Sequence, residues 1–231
     1  MHVDIKRELD TILDSVYAEM FGTAPLAALP LQREVLRMRL AAFAEKQAEL
    51  FAEGWQIVAV EQECEMPFIV DGAPSDVILR GKIDRIDFHP ASGQWRVLDY
   101  KTGSVIDPTR KHFSKTQGWK DLQFPLYAKL LEGLARKSGE SEESIFPSSS
   151  ILSTLLIEYS YFHLPAELDK VGVSKPFDPA KIEEGQEEAA RIVREVTSGE
   201  GCRDIGKLTH YDSPTFVALC GGKVTDDDDD G

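Results

Sequence analysis

Arg80-Gly81-Lys82-Ile83-Asp84-Arg85-Ile86-Asp87-Phe88, then Pro90-Ala91-Ser92-Gly93, then Trp95-Arg96-Val97-Leu98-Asp99-Tyr100-Lys101-Thr102-Gly103 is the stretch that decides the fold. Apolar residues alternate on both sides of a Pro/Ser/Gly turn, the pattern of a β-hairpin. Centring the turn on Ala91 and Ser92 pairs Phe88 with Trp95, Ile86 with Val97 and Asp84 with Asp99. A period of two then puts Asp84, Asp99 and Lys101 on one face, with Arg80 and Lys82 further along it. Carboxylates directly opposite on neighbouring strands have Cβ atoms about 5 Å apart, and their charges repel. A chain that keeps such a pair needs a cation between them, and a divalent metal beside Lys101 meets that need. Mg2+ takes hard oxygen ligands, commonly one or two carboxylates with waters and phosphate oxygens. Such an ion polarises a phosphoryl group and orients a nucleophilic water, so the pattern points to phosphodiester chemistry. A cross-strand salt bridge between Asp84 and Lys101 on a solvated face is the plainer alternative.

Working outward, Asp121-Leu122-Gln123-Phe124-Pro125-Leu126-Tyr127 opens a helix over 121–137, with Leu122, Leu126, Leu130, Leu131 and Leu134 on its buried side. Pro125 is tolerated only in the first turn, where amides lack partners anyway. Gln123 and Tyr127, four apart on one helix face, therefore lie near the N-terminus, whose dipole favours phosphate. Upstream, apolar spacing predicts helices over 5–21 and 31–52. A strand over 55–70 follows, with Glu61, Glu63 and Glu65 on one face and Val58, Val60, Cys64 and Met66 on the other. Downstream, 104–120 reads as a polar connection and 136–150 as a flexible loop. Residues 151–164 read as a strand buried on both faces, and 165–177 as a loop. A last helix runs from an Asp178 N-cap and Pro179 to Thr197, with Ile182, Ala189, Ile192, Val193 and Val196 inward. That order gives an α/β protein with a mixed central β-sheet flanked by helices.

The 231 residues, 42% of them hydrophobic, are enough for one large α/β domain or two small ones. No run approaches the roughly 20 apolar residues that span a bilayer, and the N-terminal stretch lacks the apolar core of a signal peptide. Three widely separated cysteines, Cys64, Cys202 and Cys220, fit a reducing cytoplasm better than a disulfide framework. The net charge of −14 argues against a simple nucleic-acid binder. Yet Arg110, Lys111, Lys115 and Lys120 crowd a stretch with one acid, Asp107, and Arg80, Lys82, Arg85 and Arg96 are expected to join them. A basic island of this kind can grip a nucleic-acid backbone, though a solvated loop would read the same.

Gly81-x-Ile83-Asp84-Arg85-Ile86-Asp87, Asp99-Tyr100-Lys101-Thr102-Gly103 and Gln123-x-x-x-Tyr127, in that order, resemble the PD-(D/E)XK nuclease superfamily. Within it they are most similar to the RecB/AddB branch of helicase-associated exonucleases. The resemblance covers roughly Trp55 to Thr197. It implies a restriction-endonuclease-like core over 55–198; the residues themselves read as a helical lead-in over 1–54, an irregular part over 199–225 and, from its run of like charges, a disordered acidic tail over 226–231. It further implies a metal-dependent, exonucleolytic deoxyribonuclease serving recombination or repair. Asp84, Asp99 and the Tyr100 carbonyl would hold Mg2+ or Mn2+, Lys101 would serve catalysis, and Gln123 and Tyr127 would lie near site and DNA. Glu61 matches an accessory acid of the family, and Arg80, Lys82, Arg110 and Lys111 are the candidate DNA contacts. The implied partners are DNA and the remainder of a helicase–nuclease polypeptide or complex, with no membrane.

The chain also departs from that family. Many members carry a metal-binding histidine in an upstream Gly-x-x-x-His helix. His2 is the only histidine before the hairpin and lacks that glycine, so the role is not carried over. The chain accordingly reads as a C-terminal domain excised after that helix. Cys202 and Cys220 stand 18 apart with no Cys-x-x-Cys, so no iron–sulfur cluster is expected. No Walker motif is present, which leaves ATPase or helicase activity to another chain or domain. The alternative is a catalytically inactive module of the same fold, acting as a DNA-binding or assembly scaffold. An intact Asp…Asp-x-Lys argues against it.

Overall fold

A computed structural model describes residues 2–22, 28–74, 76–138 and 157–199. Helices α1 (His2–Phe21) and α2 (Ala28–Glu53) precede strands β1 (Gln56–Pro67), β2 (Ile78–His89) and β3 (Gln94–Lys101). A short helix α3 (Pro108–His112) and a two-stranded ribbon, β4 (Phe113–Ser114) and β5 (Gly118–Trp119), come next. Then follow α4 (Gln123–Ser138), β6 (Ile157–His163), β7 (Ser174–Pro176) and α5 (Ala180–Ser198). The main sheet has the order β1-β2-β3-β6-β7, with β3 and β6 parallel and every other pair antiparallel. This is the mixed sheet flanked by helices expected of a restriction-endonuclease-like core.

The hairpin forms in the predicted register, Phe88 opposite Trp95 and Ile86 opposite Val97. Its turn closes when the Ser92 and Gly93 amides donate to the His89 carbonyl at 3.2 and 2.9 Å. Gly93 takes φ +69°, which only glycine adopts without penalty. One sheet face carries Cys64, Met66, Ile83, Ile86, Trp95, Val97, Tyr159 and Tyr161 against Phe124, Tyr127, Leu130 and Leu131 of α4. Close approach needs a missing side chain: a Cβ on Gly81 would stand 2.7 Å from Leu130 Cδ1. The opposite face sets Leu98 and Phe162 against Leu50 and Phe43 of α2.

Under α2 the second face also buries charge. Arg85 is wholly buried and grips Asp87 through two bonds, Nε to Oδ1 at 2.6 Å and Nη2 to Oδ2 at 2.8 Å. Its Nη1 donates to Gln47 Oε1 of α2 at 2.6 Å and to the Tyr100 hydroxyl at 3.1 Å. Arg96 adds a bond to Asp87 Oδ2 at 3.0 Å and lies over the Trp55 ring. Charge is tolerated here because both guanidinium groups meet the Asp87 carboxylate, Arg85 with further acceptors and Arg96 with the face of an indole ring.

Several expectations need correction. Arg85 and Arg96 are not part of a basic island, because both are committed to Asp87. Arg80 and Lys82 do not share the face of Asp84. The β1/β2 ladder passes from Val60↔Arg85 to Gln62↔Ile83, skipping Glu61 and Asp84. Glu61 there has φ +49°, a left-handed backbone that a non-glycine residue seldom takes. Both strands change phase at that irregularity. Ile83 and Ile86 consequently reach the same core, Arg80 and Lys82 turn to the other side, and Val60 is exposed instead of buried. The 165–177 loop contains the edge strand β7, too short to show alternation, and 104–120 contains α3 and the β4/β5 ribbon. On α5, Ile192 and Val196 are exposed, while Ile182, Ala189 and Val193 pack inward. Asp178 caps α5 as predicted, accepting from the Ala180 amide at 3.0 Å. The 139–150 part of the loop, the start of the predicted strand at 151–156, Cys202, Cys220 and the acidic tail lie outside the described residues.

Removing Asp87 would leave two buried guanidinium groups without a counter-charge, and breaking such a pair from one side costs about 3–5 kcal/mol. Asp87→Ala is therefore expected to lower unfolding free energy by about that amount in urea titrations. A loss under about 1 kcal/mol would mean that the network does not tie the hairpin to α2.

Candidate active site

The phase change at Glu61 aims Asp84 toward the end of β3 that carries Asp99 and Lys101. Regular pairing of β2 with β3 stops at Arg85↔Leu98. Beyond it Asp84 Oδ2 accepts the Tyr100 amide at 3.0 Å, which fixes the half-buried carboxylate beside the strand end. Asp99 is buried, 3% exposed, on the α4 face of the sheet.

The helix that covers this point starts where the sequence places it. Asp121 Oδ1 caps α4 through the Gln123 amide at 2.8 Å, and Pro125 occupies the first turn. Gln123 Nε2 donates to Asp99 Oδ1 at 2.5 Å and to the Tyr127 hydroxyl at 3.0 Å. Tyr127 in turn donates to Asp99 Oδ1 at 3.4 Å. Lys101 Nζ faces Asp99 Oδ2 at 2.5 Å and reaches Gln123 Oε1 at 3.5 Å. That Oδ2 makes no regular hydrogen bond, so its stabilisation is the ammonium charge. The structure thus brings Asp84, Asp99, Lys101, Gln123 and Tyr127 together. The Lys101 ion pair is with Asp99 and not, as the plainer reading had it, with Asp84.

The accessory residues are placed differently. Glu61 binds Lys82, and Arg80 Nε meets Glu65 Oε2 at 2.8 Å, so both cations are paired along the exposed side of β1 and β2. Arg110 and Lys111 of α3, with Lys115 and Lys120, are exposed. His2 pairs with Glu45 at 3.9 Å. Sequence reasoning gave no site role to Gln47, His112, Tyr161 or His163. His163 Nδ1 bonds the Val173 carbonyl at 3.0 Å and Nε2 accepts the Ile106 amide at 3.1 Å, which fastens the loop after Lys101. The clue for Tyr161 and His163 was their shared parity on β6, two apart beside Asp99 and Lys101. Nothing periodic marks His112.

The electrostatics follow from burial. Desolvation pushes the Asp84 carboxyl above its ordinary range, and the charges of Asp99 and Glu61 push the same way. The Tyr100 amide and Lys101 offset this only in part. Burial likewise raises the Tyr127 phenol, which stays a neutral donor.

With this geometry in hand, the chain can be assigned: it belongs to the PD-(D/E)XK nuclease superfamily, whose model matches residues 2–208. The match takes in both N-terminal helices as well as the core. No curated protein matches the chain. Nucleases of this superfamily typically use divalent metals. Among the described residues, no three His, Cys, Asp or Glu side chains gather as a metal-binding group. Two convergent carboxylates suit Mg2+, which keeps several waters and takes the rest of its shell from substrate. The raised Asp84 carboxyl and the ammonium set against Asp99 both mark a place where positive charge is favoured. The donor set therefore fits a hard divalent ion.

An acid whose folded pKa lies above its unfolded value weakens the fold as pH climbs past the unfolded value, 3.8 here, and the loss persists at neutral pH. Asp84→Asn keeps an acceptor for the Tyr100 amide and discards the desolvated charge. Its melting temperature at pH 7 in EDTA is expected to equal or exceed that of the unmodified chain. A lower value would show that the charged form is not the strained one.

Proposed function

We propose that this chain is a metal-dependent deoxyribonuclease of the RecB/AddB exonuclease type. In this reading it serves DNA recombination or repair in the cytoplasm, within a larger helicase–nuclease polypeptide or complex. The observation that carries the reading is the convergence of Asp84, Asp99 and Lys101 between the hairpin and the N-terminus of α4.

Asp84 and Asp99 are the side chains to hold Mg2+ or Mn2+, with the Tyr100 carbonyl beside them. Bound there, the ion supplies Lewis-acid polarisation of the scissile phosphate and of water. Lys101 Nζ, confined by Asp99 and Gln123, orients the attacking water and meets the charge that grows on the phosphate oxygens. Gln123 and Tyr127 act on Asp99 more than on DNA: both bond its Oδ1 and fix the rotation of the carboxylate. Glu61 adds negative charge near Asp84. Water replaces one ester oxygen on phosphorus, so a phosphate monoester and a free hydroxyl are the products. The exposed Arg110 and Lys111, with Lys115 and Lys120, give an acidic protein a local positive field for the DNA backbone. The exonucleolytic assignment rests on the Gln123-x-x-x-Tyr127 pattern following Asp-x-Lys.

Labelled linear and circular DNA incubated with Mg2+, Mn2+ or EDTA tests this. Linear DNA is expected to be lost only with metal, circles to survive, and Asp99→Ala to be inert. Lys101→Ala is expected to lower the rate at least about 100-fold, the low end of a positioned proton-handling group, while keeping a metal-induced rise in melting temperature. Normal cleavage by Lys101→Ala would refute its role, and a chain inert with every metal would favour the scaffold.

A further inference from the structure

Lys101 has a third neighbour, beyond Asp99 and Gln123, that the mechanism above does not use. Its ammonium stands over the ring of Tyr161, 4.7 Å from the centroid. Tyr161 is in register with Asp99 across the parallel β3/β6 pair, so ring and carboxylate rise side by side on one sheet face. The tyrosine is itself wholly buried and held at its far end, where its hydroxyl meets His112 Nε2 at 2.6 Å. His112, also wholly buried, stacks on Phe124 with ring planes 17° apart and centroids 5.2 Å apart. Its carbonyl accepts the Lys120 and Asp121 amides, and Asp121 caps the α4 turn that carries Gln123. His112 thus joins α3, β6 and the first turn of α4. Burial pushes the imidazole pKa down and the Tyr161 phenol pKa up, so both stay neutral.

We propose that Tyr161 is a positioning residue for Lys101, and that His112 pins the Tyr161 ring in place. The consequence for rate rests on the nuclease reading; the contact itself does not. A lysine side chain is long and flexible, and holding it in one place carries an entropic cost. Asp99 alone is a poor anchor, because a metal at that carboxylate would compete with the ammonium for the same oxygens. A ring face attracts a cation through its quadrupole without offering oxygens to a metal. The ring therefore keeps Nζ beside the two carboxylates whether or not Asp99 is engaged elsewhere.

The test compares the full chain with Tyr161→Phe, Tyr161→Leu, Tyr161→pentafluorophenylalanine and His112→Phe. The first readout needs no cleavage: in lysine-labelled protein, the Lys101 ε-methylene protons are expected to resonate upfield through the ring current. That shift should vanish in Tyr161→Leu and shrink without vanishing in Tyr161→Phe and His112→Phe, each of which keeps the ring beside Lys101 but breaks the bond between the hydroxyl and His112. An unshifted Lys101 resonance, or one unchanged in Tyr161→Leu, overturns the positioning; one unchanged in His112→Phe overturns the pin. The second readout is kinetic. Tyr161→Leu and the pentafluoro variant are expected to lose about tenfold in kcat with KM unchanged, and Tyr161→Phe to recover most of it. The pentafluoro variant keeps ring size and reverses the quadrupole, so it decides the matter even where Tyr161→Leu fails to fold. Equal losses in all three Tyr161 variants would mean a merely structural ring and overturn the proposal. A chain that cleaves no DNA would remove the nuclease reading and leave the Lys101 resonance to decide the contact.

Discussion

The bidentate pair between Arg85 and Asp87, sealed beneath α2, is the constraint on which the remainder depends. It joins two residues of one strand, takes Arg96 from the next strand and Gln47 from a helix, and touches the Tyr100 hydroxyl. Tyr100 stands between Asp99 and Lys101 and points to the opposite face. The network therefore holds from behind the strand end that presents both side chains. Buried ion pairs are weak evidence for stability, since desolvation offsets much of their attraction. Their geometric specificity is greater. A guanidinium with a fixed fork accepts few arrangements, and this one sets α2, β2 and β3 in a single relation.

On the other face of the same hairpin, electrostatics run the opposite way. Beneath α2 two guanidinium groups close on one carboxylate, whereas beside α4 two carboxylates converge with one ammonium beside them. Asp84 carries the signature of that imbalance, a carboxyl pushed upward first by burial and then by like charge. Gln123 and Tyr127 do not neutralise Asp99; they orient it. An excess of negative charge held by neutral donors is the arrangement of a site built to receive a cation.

Much of this was legible in the chain itself. The hairpin register followed from alternation and turn chemistry, and the start of α4 followed from Pro125. The family order of Asp84, Asp99-x-Lys101 and Gln123-x-x-x-Tyr127 is likewise plain in the residues alone. What periodicity could not supply was the break in period. A strand read at a strict spacing of two places Arg80 and Lys82 beside Asp84. One left-handed residue, Glu61, opposite Asp84 reverses that outcome for everything upstream on β2 and moves Val60 to the surface. No side-chain pattern announces a break of this kind. Arg85 and Arg96 were misread for a related reason: a count of positive residues does not distinguish a cation facing solvent from one spent on a buried carboxylate. Tyr161 was passed over because it stands 60 residues along the chain from Lys101, and His112 because it lies on a five-residue helix with no period.

The same irregularity at Glu61 bears on how this protein behaves among copies of itself. β1 is the open edge of the sheet, twelve residues long, and an edge of that length offers a row of free amides and carbonyls to any passing strand. The register shift between Ile57 and Ala59, the left-handed turn at Glu61 and the outward acids interrupt that row every few residues. The far edge, β7, is only three residues long and ends in Pro176. The backbone kink that turns Asp84 toward Asp99 thus also interrupts the regular edge that a second strand would need for pairing.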